Sequence, residues 1–158
     1  IFNFQFSIFN KKSNSNSTWI IMKILDKSLK IAKSLFPSRY ESHKVGQSYH
    51  FTFAFHRNKL IAIGQNNSNR IDAKEVYFAK RFNLKKRQEF AFAHSETNAI
   101  GKLWSRYHID SSIRLVNLRL NRYGELRDSK PCNECKIVLD ALGIDEIYYS
   151  TNEGFIKL

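Results

Sequence analysis

Four residues of this sequence have the types and spacing of a hydrolytic metal site. His94 and Glu96 are two positions apart, and Cys132 and Cys135 form a C-x-x-C pair directly after Pro131. Zinc at a catalytic centre usually takes three protein ligands and keeps a fourth position for water. His94, Cys132 and Cys135 can supply these ligands, and Glu96 can take a proton from the water and deliver it to a substrate. The pattern therefore predicts zinc-assisted hydrolysis.

Competing interpretations are limited, because the chain contains only these two cysteines. A structural zinc site with four cysteine ligands is excluded within one chain, and a zinc finger would place two histidines shortly after the cysteines. A thioredoxin-like redox pair also uses C-x-x-C, but it leaves His94 and Glu96 unexplained. An accidental C-x-x-C is the remaining alternative. Zinc binding is the interpretation that uses all four residues.

Both halves of the motif are expected at helix starts. Cys132 and Cys135 are at positions i and i+3, which share one helical face, so both sulfurs can reach one ion. The dipole of that helix favours thiolate over thiol at its first turn. Pro131 suits this position, because its missing N–H costs little there. Taken singly, His94 and Glu96 are typical of a helix cap and a first turn, and only their joint order and spacing indicate catalysis.

Residues 1–21 are expected to form a tail outside a single domain that spans 22–158. The tail begins with an apolar segment, continues into the polar run KKSNSNST, and ends before Met22, the only methionine. Its apolar start is too short to span a bilayer and lacks the flanks of a signal peptide. We therefore expect no membrane association. Free motif cysteines favour a reducing, cytoplasmic compartment.

Hydrophobic periodicity predicts the elements that must position the motif. Helices are expected over 23–35 (ending before Pro37), 72–82, 94–107 and 132–142, and strands over 49–56, 60–64, 113–121, 146–151 and 155–158. The three alternating phenylalanines of the first strand (Phe51, Phe53 and Phe55) are predicted to face the core rather than to stack on bases.

The order of these elements predicts a three-layer α/β/α sandwich with a mixed five-stranded sheet. Both motif helices should lie side by side on one face of this sheet. Only about four residues separate the last two strands. A parallel connection needs about a dozen residues or more, so these two strands are expected to be antiparallel.

In motif and in order of elements, the chain resembles the cytidine deaminase-like superfamily from about Tyr49 to the C-terminus. H-x-E … P-C-x-x-C is the signature of its zinc-dependent deaminases. The resemblance implies zinc held by His94, Cys132 and Cys135, with Glu96 as the proton-transferring residue. It also implies hydrolysis of a cytosine-containing nucleoside or nucleotide to the uracil product and ammonia.

The resemblance extends to a substrate contact at the end of the second strand. Relatives often carry G-x-N there and place the asparagine against the sugar, which gives a substrate-binding role to Asn66 of Gly64-Gln65-Asn66. Asn67 and Asn69 are alternatives, and a simple turn asparagine is another. Relatives commonly form dimers or tetramers, so a homo-oligomer is expected. An antiparallel last strand resembles the branch that acts on free nucleosides.

The sequence departs from the pattern of relatives at two places, within the H-x-E motif and in the segment before it. Ser95 stands between the histidine and the glutamate, where relatives usually carry alanine or another small residue. The segment from Asn66 to His94 is long and basic, so a lid over the substrate does not follow from the resemblance.

A net charge of +12 favours a polyanionic partner or a phosphorylated substrate. Basic residues precede both halves of the motif, although such runs are also typical of solvated faces. They are Lys80, Arg81, Lys85, Lys86 and Arg87 before the histidine, and Arg119, Arg122, Arg127 and Lys130 before the cysteines.

Two functional alternatives therefore stay open beside deamination of a free nucleoside or nucleotide. One is a deaminase that acts on cytosine or adenine within single-stranded nucleic acid or tRNA. The other is a non-catalytic, zinc-stabilised binding protein, which would not require the carboxylate of Glu96.

Overall fold

A mixed β-sheet lies at the centre of the fold in the computed structural model, which describes residues 15–42, 48–89 and 91–158. The main strands are β1 (Tyr49–His56), β2 (Lys59–Gln65), β5 (Ile113–Leu120), β7 (Glu146–Thr151) and β8 (Gly154–Lys157), and the short ones are β3 (Asn67–Ile71), β4 (Phe92–Ala93) and β6 (Leu126–Arg127). The main order is β2-β1-β5-β7-β8, with β6 paired to β5 as a sixth strand. β5 and β7 are parallel, and the other neighbours in this sheet are antiparallel.

Helices cover both faces of the sheet. They are α1 (Ser15–Ser42), α2 (Ala73–Arg81), α3 (Lys85–Glu89), α4 (Ser95–Leu103) and α5 (Asn133–Ala141). α1 packs on one face, where the phenylalanines of β1 are fully buried as predicted. α2, α4 and α5 contribute to a second core on the opposite face. The predicted three-layer sandwich with a mixed sheet is therefore confirmed, and so is the antiparallel pairing of β7 with β8.

The first helix differs most from its predicted bounds of 23–35. It begins at Ser15, so residues 15–21 of the expected tail form its first turns, and Ile20 and Ile21 pack against the core beneath α1. The helix also continues past Pro37 to Ser42, so this proline does not end it, although its ring and its missing N–H disfavour a helix interior. Residues 1–14 of the expected tail lie outside the described residues. Among the described helices, none has the length and apolarity needed to cross a membrane.

The other differences concern short elements. The helix predicted over 94–107 ends at Leu103, and β3, β4, β6 and α3 were not predicted. All four are two to five residues long, which is too short for hydrophobic periodicity to reveal. β3 pairs with β4 in a separate small sheet that precedes the first motif helix.

Gly64 of β2 sets the position of α4. A Cβ atom at Gly64 would overlap the carbonyl oxygen of Ser95 and lie 2.5 Å from the backbone nitrogen of Ala99. The backbone N–H of Gln65 also donates to Oδ1 of Asn98 at 3.2 Å. Because no side chain separates strand from helix, the first turn of α4 lies directly against the sheet.

We predict that Gly64→Ala lowers the free energy of unfolding by about 3 kcal/mol, since overpacking against backbone atoms cannot be relieved by a side-chain rotation. Gly101→Ala is the matched control. Its added methyl group would contact only the side chain of Lys74, and alanine is favoured over glycine in a helix by about 1 kcal/mol. Urea denaturation of both variants measures the difference, and equal stabilities would contradict the close contact at Gly64.

Candidate active site

The structure brings the three predicted metal ligands together. Nδ1 of His94 lies 3.7 Å from Sγ of Cys132 and 3.6 Å from Sγ of Cys135, and the three ligand atoms all lie within 4.8 Å of one another. Zinc bonds of about 2.3 Å to sulfur and about 2.0 Å to nitrogen, at a tetrahedral angle, separate nitrogen from sulfur by roughly 3.5 Å. The donor set and its spacing therefore fit a zinc ion that keeps one position for a further ligand.

Two helix N-termini carry these ligands. His94 is the N-cap of α4 in extended conformation, and its side chain makes no capping hydrogen bond, so the imidazole is turned to the cysteines. Cys132 is the N-cap of α5, and its Sγ accepts from the backbone N–H of Cys135 at 3.4 Å. Two helix starts at one point stabilise negative charge on the sulfurs, as the sequence predicted for α5.

The surroundings shift the pKa values of the two cysteines in opposite directions. A hydrogen bond from Cys135, together with that from His94, lowers the pKa of Cys132 to about 2. Burial raises the pKa of Cys135 well above its ordinary value, and the bond with Cys132 adds to this. The hydrogen bond with Cys132 raises the pKa of His94. Both sulfurs bind a metal ion as thiolates, so binding would release the proton of Cys135.

Arg87 lies beneath the ligands, although the sequence placed it in the basic run before the motif helix. It is buried, its Nη2 donates to Sγ of Cys135 at 2.8 Å, and the same atom lies 3.5 Å from Sγ of Cys132. Nη1 donates to Oε2 of Glu75 at 2.9 Å. Burial lowers the pKa of Arg87, but the charges of Cys135 and Glu75 raise it on balance, so the guanidinium stays charged. Arg87 thus compensates the negative charge of the sulfurs.

Glu75 links this guanidinium to the histidine. Its Oε1 accepts from the hydroxyl of Thr97 and, at 3.3 Å, from the backbone N–H of His94. On the other side of the guanidinium, Nε lies 3.4 Å from Oε2 of Glu134, an ion pair without hydrogen-bond geometry. Two carboxylates therefore flank the guanidinium of Arg87.

Sequence reasoning did not find Glu75 or Arg87 as site residues. The available signal was the spacing of Leu84 and Arg87, which are three positions apart and therefore share a helical face with a buried leucine. This signal identifies a buried arginine only when its carboxylate partners are known, and those come from α2 and α5.

Glu96 opens onto the same cleft as two of the ligands. The cleft has a volume of about 350 Å³ and is lined by His50, Asn66, Phe92, Ala93, His94, Ser95, Glu96, Lys130 and Cys132. Glu96 is 7% exposed, Oε1 of its carboxylate accepts from Nδ2 of Asn117 at 3.2 Å, and Oε2 accepts from the hydroxyl of Ser95 at 3.1 Å. A fixed carboxylate beside a metal site is suited to proton transfer.

Asn66, the predicted substrate-binding residue, lines the cleft, and its amide group also contacts the backbone. Its Oδ1 accepts from the N–H of His50 at 3.0 Å, and its Nδ2 donates to the carbonyl of Ser48 at 2.9 Å. Asn66 therefore fixes the start of β1 beside the cleft, and its contact with a sugar stays a prediction. Asn67 begins β3, whereas the side chain of Asn69 lies outside the described part of the chain.

The basic residues before the motif separate into different environments. Lys130 lines the cleft, and Lys80, Lys85 and Lys86 are exposed on α2 and α3. Burial, followed by the charges of Arg119 and His94, lowers the pKa of His50 to about 4. The imidazole of His50 in the cleft wall is therefore neutral at pH 7. Lys130 is the cationic side chain among the cleft residues that the structure describes.

No protein-family model matches this sequence, and no curated protein matches it. Among solved structures, the chain is similar to the crystal structure of cytidine deaminase from Mycobacterium leprae. The sequences are 17% identical, the match covers 80% of this chain and 88% of that chain, and the TM-score is 0.45. A similarity at this level identifies no activity, so the function is inferred from the chemistry of the site.

We predict that Arg87→Met weakens zinc binding by roughly 10- to 100-fold, as removal of a residue that supports metal ligands typically does. The variant should also lose about 3 kcal/mol of stability, because Glu75 keeps a buried charge without its partner. Competition with a chelator and urea denaturation measure the two effects. Lys86→Met, at the exposed neighbouring position, is the control and should change neither. Wild-type protein without about one zinc per chain under reducing conditions would contradict the metal site itself.

We predict that His50 makes the protein less stable in acid. Histidine in an unfolded chain has a pKa of 6.5, against about 4 in the fold, so the unfolded chain binds the proton more readily. The contribution is complete above about pH 6.5 and is lost as the pH falls towards 4. Between pH 7 and pH 4, wild type should lose on the order of 2 kcal/mol more unfolding free energy than His50→Gln. Equal slopes for wild type and His50→Gln would contradict the prediction.

Proposed function

We propose that this protein is a zinc-dependent hydrolase that deaminates a cytosine-containing nucleoside or nucleotide to the uracil product and ammonia. The observation that carries the proposal is the presence of His94, Cys132 and Glu96 in the wall of one cleft, with Cys135 completing the ligand set. A site that served only stability would need the three ligands and would gain nothing from a fixed carboxylate beside them.

A zinc ion held by His94, Cys132 and Cys135 would lower the pKa of a water molecule in the cleft to about 7. The chain's own part of the reaction is proton transfer by Glu96, which takes a proton from the attacking water. The carboxylate then delivers the proton to the ring nitrogen of the base and assists the departure of ammonia. Burial of Glu96 limits its exchange of protons with bulk water, so the proton passes to the substrate.

The cleft favours a small substrate. Its volume of about 350 Å³ lies at the lower end of the range of ligand pockets, about 300 to 1,000 Å³. Phe92 offers an aromatic face for a base, and Lys130 offers a positive charge for a phosphate group. The antiparallel β8 adds support, since it resembles the arrangement in deaminases of free nucleosides.

A second candidate is deamination of a base within single-stranded nucleic acid. The observation that favours it is the net charge of +12, with exposed lysines at Lys80, Lys85 and Lys86. The unpaired base would enter the same cleft and meet the same Glu96. The two candidates therefore share a mechanism and differ in what lies outside the cleft. A homo-oligomer and a cytoplasmic location stay predictions.

The test is ammonia release by the zinc-loaded protein on cytidine, deoxycytidine, CMP, dCMP and a cytosine-bearing single-stranded oligonucleotide. We predict that Glu96→Gln keeps its zinc and loses turnover by roughly 10²- to 10⁴-fold, the usual contribution of general acid–base catalysis. Glu89→Gln, an exposed glutamate on α3, is the matched control and should turn over as wild type.

Each outcome of this test points to one function. Turnover of a nucleoside or nucleotide supports the leading proposal, and turnover of the oligonucleotide alone supports the second candidate. Undiminished turnover by Glu96→Gln would remove the mechanism. Zinc binding without turnover of any member, or of adenine-containing counterparts, would indicate the non-catalytic binding protein.

A further inference from the structure

We propose that Ser95, Thr52 and Asn117 are positioning residues that hold the carboxylate of Glu96 in its reactive orientation. The inference rests on the proposed function, because it assumes that Glu96 transfers the proton. It extends that function to three residues from three separate elements: Thr52 on β1, Ser95 on α4 and Asn117 on β5.

Both oxygens of the Glu96 carboxylate have a donor. The hydroxyl of Ser95 donates to Oε2 at 3.1 Å, and Nδ2 of Asn117 donates to Oε1 at 3.2 Å. A carboxylate bonded at one oxygen can still rotate about its last torsion, whereas bonds at both oxygens fix its plane. The remaining lone pairs are then available on the side of the cleft.

Thr52 joins the two donors behind the carboxylate. Its hydroxyl lies 2.9 Å from the hydroxyl oxygen of Ser95 and 3.0 Å from Oδ1 of Asn117. It has a single proton, which it donates to one of these two acceptors at a time. Thr52 and Asn117 are direct partners in the pairing of β1 with β5, so strand register alone brings them together.

The side chains of Thr52, Ser95 and Asn117 are buried, and burying polar side chains costs free energy. Thr52 is fully buried, and Ser95 and Asn117 are each 2% exposed. The neighbouring positions on the same face of the sheet, Ala54 and Leu115, belong to the apolar core. Apolar side chains would pack at these positions without any need for hydrogen bonds, and a buried polar group costs free energy unless every member of its network is satisfied.

Ser95 is the residue that distinguishes this centre from the pattern that the motif resembles. Alanine at this position has no donor for Oε2 and no acceptor for Thr52. The hydroxyl therefore connects the sheet to the catalytic carboxylate, which explains the serine within H-x-E. Without it, Glu96 would keep the bond from Asn117 alone.

The experiment compares Ser95→Ala and Thr52→Val with Thr52→Ser, which restores the hydroxyl, and with Ser34→Ala, an exposed control on α1. We expect Ser95→Ala and Thr52→Val to lower kcat by roughly 10- to 100-fold, the effect of a displaced catalytic group. KM and zinc content should stay close to wild type, because the variants leave the ligands in place and Ser95→Ala removes only one hydroxyl group from the cleft wall. Thr52→Ser should recover most of kcat.

The positioning role can also be tested without measuring activity, from the position of the Glu96 carboxylate. In crystal structures, the Glu96 carboxylate should be ordered in wild type and displaced or disordered in Ser95→Ala. Unchanged kcat in both variants, with Glu96→Gln inactive, would overturn the inference and leave the proposed function intact. If Glu96→Gln is fully active, the proposed function fails, and an unmoved carboxylate in Ser95→Ala would then also overturn the positioning role. A general loss of stability with KM and kcat both changed would indicate a structural role only and would overturn it as well.

Discussion

The structure depends on holding two cysteine sulfurs together, one exposed at Cys132 and one buried at Cys135, where both can carry negative charge. Burial of Cys135 raises the pKa of its thiol, and the bond with Cys132 adds to this. Three positive elements meet the sulfurs: the N-termini of α4 and α5, and the guanidinium of Arg87. The guanidinium is itself buried, so it needs Glu75 and Glu134 beside it. The sulfurs therefore depend on the guanidinium of Arg87, and the guanidinium depends on the two carboxylates. These groups stay within contact distance only if the backbone that carries them is fixed.

That backbone is fixed by the sheet. β1 and β5 pair over their whole length, and α4 lies directly on β2 at Gly64. The two helices that supply the ligands thus take their positions from strands that contribute no ligand themselves. The apolar core under α1, on the far side of the sheet, stabilises the same strands. A large part of the chain serves to place four side chains.

The site has two halves, which differ in whether the groups around the functional side chains are charged or neutral. On one side, Arg87 and Glu75 compensate charge and hold the ligands and the backbone of His94. On the other side, neutral donors from Ser95 and Asn117 meet the carboxylate of Glu96. Charged partners suit groups whose ionisation must be maintained, whereas neutral partners orient a group that must gain and lose a proton. The cleft lies beside both halves, because His94 and Cys132 line it together with Ser95 and Glu96.

The sequence alone identified the candidate metal ligands, the carboxylate beside them and the order of the main elements, because these follow from residue types at short fixed spacings and from hydrophobic periodicity. His94 and Glu96 share one helical turn, and Cys132 and Cys135 share another. The tertiary structure decided which residues support them. Arg87 belongs to a run of basic residues that resembles an exposed surface, and only the meeting of α2, α3 and α5 buries it. Thr52 and Asn117 are 65 positions apart and become partners through strand register, which no local pattern specifies.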